Sequence, residues 1–253
     1  MSTNDNLVSI ITPAYDSAKC IAATIDSVLA QTHENWEMLI VDDCSTDNTV
    51  DIVKSYTDER IHLYQNAVNS GAAVARNRAM TEAKGRWMAF LDSDDLWMPD
   101  KLEKQLAFME DNGHAFSCTS YEHITEGGQK TGKVVKSVEK ANYNRILLDC
   151  PVGNSTVIYD VDRLGKFEVP DIRNRDDDAL WLKMLKKTPY IYGMDAVMMQ
   201  YRIRKDSLSC NKSNKAALIK YHWMLYRNIE GLSLFRSCFH VCWWVFIKVL
   251  GIK

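Results

Sequence analysis

The chain has 253 residues and a formal net charge of −2, with 46% hydrophobic and 25% charged residues. That length buries a sizeable core unaided, and the near-neutral balance excludes wholesale nucleic-acid binding. The seven cysteines (Cys20, Cys44, Cys118, Cys150, Cys210, Cys238 and Cys242) form no CxxC pair, which points to reduced thiols in a cytosolic protein rather than to a disulfide framework or a structural zinc site.

The opening MSTNDNLVSI carries neither a basic region nor a long apolar run, so it does not read as a signal peptide. Residues 7–12 read as a buried strand that stops at Pro13. Ile21, Ile25, Val28 and Leu29 recur at helical spacing, and 36–41 form a second buried strand ending in Asp42 and Asp43. A helix over 47–56 starts with Asp47 as its N-cap. A short strand at 61–64 leads to an Ala-rich helix over 71–84, stopped by Gly85. Strand 87–91 runs directly into Asp92-Ser93-Asp94-Asp95. The second half predicts a helix at 99–112 that begins on Pro99, a strand at 115–121, a hairpin turn at 126–129 and a strand at 155–159. It continues with a helix at 178–187, a strand at 197–201 and two helices from 215 onward, broken near Gly231. The order implies an α/β fold whose mixed, mostly parallel sheet is flanked by helices. Ligands bind such sheets beyond the carboxyl ends of the strands. Three of the first four strand ends carry unusual residues: Pro13 to Tyr15, Asp42-Asp43, and Asp92 to Asp95.

Asp92 and Asp94 are two carboxylates that repel unless a cation or water separates them. All-oxygen ligands of this kind suit Mg²⁺ or Mn²⁺, with a diphosphate supplying further donors. Asp43 can accept a hydrogen bond from a base imide, with Tyr15 packed on that base, or it can cap a turn before Ser45. Arg76 can meet a phosphate or base carbonyl, or lie on a solvated helix face. Asp176, Asp177 and Asp178 sit where the helix dipole favours acids; one of them facing a cleft would serve as a general base.

The blocks VSIITPAYDSAKCIAATIDSVLAQT, WEMLIVDDCSTDNT and NSGAAVARNRAMTEAKGRWMAFLDSDD resemble, in order and spacing, those of family 2 glycosyltransferases with the GT-A fold. RDDDALWLKML and YRIRKDSLS resemble the later blocks, and the whole chain is similar to polysaccharide and teichuronic-acid-type transferases of bacterial envelopes. The resemblance implies an inverting hexosyl transfer from a UDP-sugar. It implies that Pro13, Tyr15, Asp43, Asn69 and Arg76 line the nucleotide pocket. Asp92 would face the ribose and metal shell, and Asp94 would be the main ligand of Mn²⁺ or Mg²⁺. Aligned on Leu180-Trp181-Leu182, the family's acidic pair falls on Asp176 and Asp177, which makes Asp177 the base. Where that family often carries a histidine this chain has Arg204; Arg202, Arg204 and Ser207 are then candidates to clamp the diphosphate.

Residues 1–209 would form the transferase domain and 210–253 a helical extension. Ser233 to the C-terminal end carries Leu234, Phe235, Phe239, Trp243, Trp244 and Phe246, flanked by Arg236, Lys248 and Lys253. Tryptophan pairs favour the lipid–water interface, so an in-plane segment would bring the enzyme to a lipid-linked saccharide acceptor at the inner face of the cytoplasmic membrane. Packing on the domain is the other reading of this segment. No segment has the ~20 apolar residues of a membrane span; 238–252 is interrupted by His240 and Lys248. Two other functions fit acids on an α/β rim. A nucleotidyltransferase normally needs a Gly-rich loop after the first strand, and residues 13–19 contain no glycine. A sugar-nucleotide-binding scaffold without catalysis would not need Asp92, Asp94 and Asp177 together.

Overall fold

The computed structural model describes residues 6–204 and 215–250, with the side chains of 215–217 and 248–250 excepted. Ser207, Cys210, Lys253, the Lys248 side chain and the 209/210 boundary therefore lie outside what it describes. Ten strands make one sheet in the order β3-β2-β1-β4-β9-β6-β10-β5, with β7 added beside β6 and β8 beside β10. The strands are β1 Val8–Ala14, β2 Trp36–Asp42, β3 Ile61–Gln65, β4 Trp87–Phe90, β5 Leu96–Trp97, β6 Phe116–Ile124, β7 Lys130–Val135, β8 Lys140–Ala141, β9 Ile158–Asp160 and β10 Ile191–Arg202.

The longer registers are parallel: β1 with β2 and β4, β2 with β3, and β6 with β10. Strand β9 runs antiparallel to both β4 and β6. It follows that β6 and β10 share the direction of β1, β2 and β4. Ala14, Asp42, Phe90, Ile124 and Arg202 therefore all finish on one rim.

Both faces of the sheet are covered at its centre, so β1, β2 and β4 are buried on both sides, and alternate residues feed separate cores. Leu39, Val41, Met88 and Phe90 join the core under α3 (Ala72–Glu82), α5 (Tyr143–Leu148) and α7 (Asp176–Met184). Met38, Ile40, Trp87 and Ala89 join the core under α1 (Ile21–Leu29) and α4 (Lys101–Asp111). Two short helices, α2 (Thr49–Lys54) and α6 (Val161–Leu164), complete the shell.

Several boundaries differ from the sequence reading for physical reasons. Strand β1 runs through Pro13 instead of stopping there. Asp43 N donates to Ala14 O, so Ala14 faces β2 and Pro13 faces the other side. On that side β4 has already ended opposite Ile11, and the missing N–H costs no ladder bond. Gly85 does not stop α3, which ends at Glu82. Gly85 sits where a β-carbon would meet Leu7 O at 2.5 Å and Ser9 N at 2.8 Å. Its job is to let the chain pass under the start of β1. Helix α4 begins at Lys101 rather than Pro99, and Asp47 lies two residues before α2, where its Oδ1 accepts from Thr49 N at 3.0 Å. Residues 155–159 divide into a 3-10 turn, Asn154–Thr156, and β9. The last strand is the twelve-residue β10, whose register slips twice, between Met194 and Val197 and again before Met199.

The C-terminal region is α8 (Lys215–Met224), a π-helical turn at Leu225–Ile229 and α9 (Leu234–Leu250). The break falls at Gly231, whose φ is +63°. Leu225, Tyr226 and Leu232 are part of the α3/α5/α7 core. Glu230, whose side chain is fully buried, pairs with Lys186 at 2.7 Å and accepts from Tyr143 Oη at 2.5 Å. The outer face is different: Leu234, Phe235, Phe239 and Phe246 are exposed. The packing reading of the segment thus holds for its inner face. Among the described residues no helix is long and apolar enough to cross a membrane.

Candidate active site

Beyond Ala14 and Asp42 the chain makes two loops that lace together. Asp16, at φ +45°, accepts from Thr46 N at 2.7 Å, and Asp16 N donates to Ser45 Oγ at 2.9 Å. Tyr15 is left exposed on this lace beside the exposed Asn69. Asp43 is buried and its carboxylate is fully engaged. Oδ1 accepts from Asn66 Nδ2 at 2.8 Å, and Oδ2 accepts from Gly71 N at 2.6 Å and Ser70 N at 3.0 Å. Asp43 therefore holds the N-terminus of α3, where amides lack intrahelical acceptors; the turn at Ser45 is capped by Asp42 Oδ2 instead, at 3.2 Å.

Beyond Phe90 the chain enters the acidic turn, which is braced on every side. Ser17 and Ser93 share a hydrogen bond of 2.7 Å, and Thr24 Oγ1 donates to the carbonyls of Ser93 and Asp95 at 3.0 and 2.9 Å. Asp95 is buried, accepts from Ser155 Oγ at 2.6 Å and from Arg202 N at 3.1 Å, and is raised well above the usual carboxylate range by burial and by Asp94 and Asp92. It is the structural acid of the turn. Asp92 Oδ1 accepts from Arg76 Nη2 at 2.7 Å and Asn154 Nδ2 at 2.8 Å, while Oδ2 takes no hydrogen bond among the described residues. Burial and the nearby Asp92 raise Asp94, and Arg204 Nη1, 3.5 Å from Asp94 Oδ2, works against that rise.

Arg76 is not a solvated helix residue. It is buried, its Nη2 pairs with Asp92, and its Nη1 pairs closely with Asp176. Arg202 is also buried, and its Nε and Nη1 donate to Asp94 O and Glu126 O at 2.8 Å each, so it braces the acidic turn.

Helix α7 delivers the second group of acids. It starts two residues earlier than its sequence suggests, after Asn174 at φ +64°, so Asp176, Asp177 and Asp178 all fall in its first turn. Trp181 packs edge-on to Phe90 at 5.3 Å, which seats that turn beside the end of β4. Asp176 is paired with Arg76, and Asp178 with Arg175 at 2.8 Å. Asp177 has no ion pair among the described residues. Burial, then Asp178 and Asp176, push it up to about 8. The structure thus brings Asp92, Asp94, Arg76, Arg202, Arg204 and Asp177 to one rim, with Tyr15, Asn69 and Asp43 on the adjoining loops. It adds Asn154 and Ser155, which sequence reasoning did not assign to the site, and gives a bracing role to Asp95, noted in the sequence only as part of the acidic run after β4.

Among the described residues no group of three or more His, Cys, Asp or Glu side chains could hold a metal ion. The site offers a cation two carboxylates, Asp92 and Asp94. Such oxygen donors fit Mg²⁺ or Mn²⁺, which keep waters and take remaining ligands from phosphates.

Residues 9–169 match the model of Glycosyl transferase family 2. The chain is 45% identical, over 96% of its length and 94% of the relative's, to TuaG of Bacillus subtilis (strain 168), named for teichuronic acid biosynthesis. It is 40% identical, over 87% of this chain and 85% of the relative, to WfgD of Escherichia coli, named as a UDP-Glc:alpha-D-GlcNAc-diphosphoundecaprenol beta-1,3-glucosyltransferase. The fold matches the crystal structure of S. aureus TarS 1-349 in complex with UDP-GlcNAc with a TM-score of 0.72 at 21% identity, covering 92% of this chain and 70% of that one. A braced acidic rim, the family blocks in order and relatives matching end to end lead to one assignment: the chain is a glycosyltransferase of family 2.

Proposed function

We propose that the enzyme moves a hexose from a UDP-sugar to a hydroxyl of a lipid-linked saccharide, with inversion at the anomeric carbon, in the building of a bacterial surface polysaccharide. The observation that carries this reading is the meeting of Asp92 and Asp94 with the first turn of α7 across Arg76. The relatives support the substrate classes: WfgD is named for a UDP-sugar donor and a diphosphoundecaprenol-linked acceptor.

Asp177 is the base. Its two neighbours are committed to arginines, and a value of about 8 keeps its carboxylate near the operating pH, where a general base is most effective. It takes the proton of the acceptor hydroxyl as that oxygen attacks the anomeric carbon from the face opposite the diphosphate. Tyr15 and Asn69 flank the uracil ring of the donor and Asp43 frames that pocket through the start of α3. Arg204 meets the diphosphate edge, while Arg202 keeps Asp94 in place from behind. Mn²⁺ or Mg²⁺ held by Asp92 and Asp94 would offset charge on the departing diphosphate. The exposed aromatics of α9, with Arg236 among them, are proposed to lie in the surface of an anionic membrane. This has the enzyme working at the inner face of the cytoplasmic membrane.

The deciding experiment is hydrolysis of a panel of UDP-sugars with and without Mn²⁺. We expect slow turnover of one of them that stops with chelator and in Asp94→Ala. Full activity of Asp94→Ala would remove the metal assignment. With an α-linked donor the glycoside should be β by NMR; an α product would refute inversion.

A further inference from the structure

Arg76, Asp92 and Asp176 belong to three separate elements: α3, the turn after β4, and α7. Their side chains form one unit. The guanidinium gives Nη2 to Asp92 Oδ1 at 2.7 Å and Nη1 to Asp176 Oδ2. The Arg76 side chain is only 9% exposed, and its Nε, out of solvent contact, has no acceptor among the described residues. Both ends of the guanidinium are thus committed to carboxylates, which leaves a nucleotide only the remaining N–H donors of a nearly buried side chain.

The arm that carries it is fixed at both ends. Asp43 ties the start of α3 through Gly71 N. Immediately after Arg76, Asn77 is locked to the backbone of Val169: Nδ2 donates to its carbonyl at 2.9 Å and Oδ1 accepts from its N–H at 2.7 Å. A planar guanidinium on so rigid a base can span two carboxylates at a set distance, which a lysine ammonium cannot. Without the cation, Asp92 and Asp176 would face each other as like charges.

We propose that Arg76 is a positioning residue, a strut that fixes the donor-side carboxylate Asp92 and, through Asp176, the helix turn carrying the acceptor-side base Asp177. This rests on the transferase reading above, and it gives Arg76 a role other than the nucleotide contact that the family resemblance implies. The same unit explains why this chain bears aspartate at 176: the Asp176 carboxylate is a strut partner rather than a second base.

The test is a double-mutant cycle on the full chain, with UDP-sugar hydrolysis in Mn²⁺ and UDP binding measured by calorimetry in metal-free buffer, where the metal held by Asp92 does not enter the affinity. A base misplaced by about 1 Å costs about 100-fold, so kcat should fall by about that factor in Arg76→Gln, with the dissociation constant for UDP unchanged. Asp176→Asn should lower kcat with the same indifference to UDP. The double variant should be no slower than Arg76→Gln, because both substitutions break one unit. Arg76→Lys should recover little, since it restores charge but not span. Weakened UDP binding in Arg76→Gln alone, or losses that multiply in the double variant, would overturn the strut. If Arg76→Gln does not fold, Asp176→Asn decides by itself, and wild-type kcat there overturns the proposal. A wild-type enzyme that turns over no UDP-sugar sinks the transferase reading instead. The strut is then judged by melting temperatures: losses from the two substitutions that add would overturn it.

Discussion

At the scale of single residues, Asp177 and Lys101 have displaced proton affinities with opposite consequences. Asp177 is pushed up to about 8 from 3.8 by burial and its two acidic neighbours. An acid raised in the fold binds a proton on folding, so its contribution to stability is whole below 3.8 and is lost as pH rises through about 8. A base must be deprotonated to act, so turnover should rise with pH and level off above about 8. Asp177→Asn should therefore lose about 10²–10⁴-fold in rate yet melt higher than wild type in alkaline buffer. A normal rate would remove Asp177 from the mechanism. Lys101 is the converse case. It is fully buried, donates to Gln105 Oε1 at 2.8 Å and lies 4.2 Å from the Trp97 ring centroid, with no carboxylate partner among the described residues. Burial lowers it from 10.5 to about 7. It releases a proton on folding, so its cost is fullest below about 7 and fades as pH climbs towards 10.5. Wild-type melting temperature should gain from this group across that window, and Lys101→Met should lose that gain. An unchanged slope would mean the ammonium is solvated. Neither displacement is legible in the sequence, because each depends on which side chains the fold gathers round it.

At the scale of elements, what the sequence made legible follows the physics of each segment. Strands β1, β2 and β4 are buried on both faces, and β3 is a half-buried edge strand, all bounded by turn residues, so their apolar runs stand out. Helix α7 was found through Leu180, Trp181 and Leu182, but its start was missed because three consecutive aspartates read equally well as loop. Of the twelve residues of β10 the sequence shows only 197–201 as strand, since its two register slips destroy the alternation that marks a strand. Arg76 was ambiguous because an Ala-rich helix has no strongly polar side from which to tell inward from outward. Gly85 was assigned to the wrong element, and its true role gives a clear expectation. Gly85→Ala puts a methyl 2.5 Å from Leu7 O, and the forced shift should cost about 1–3 kcal/mol, visible as a lower melting temperature at unchanged UDP affinity. Helix α9 gives another. Phe235→Ser with Phe239→Ser should abolish flotation with anionic vesicles while leaving the melting temperature alone, because both rings are on the exposed face. Flotation equal to wild type would remove membrane contact through this helix.

At the scale of the whole molecule, the rim was legible before the architecture was. Parallel strands ending in acids give a ligand edge from pattern alone, and Asp92, Asp94 and Asp177 do meet there. The crossing of β9 between β4 and β6 was not legible, because pairing between strands far apart in sequence leaves no local trace. Asn154 and Ser155 reach the acidic turn only through that crossing, so they were missed with it. The placement of the C-terminal region was half legible: its aromatics advertise an outer face, while the inner one depends on Tyr143 and Lys186, far back in the chain. That inner face has a practical corollary for anyone preparing the enzyme. Cutting the polypeptide ahead of α8 to obtain a tidy catalytic fragment would strip cover from Leu147 and orphan Lys186, and we expect such fragments to precipitate. Solubility is better sought by polar replacements at Phe235 and Phe246, which leave the packed side intact.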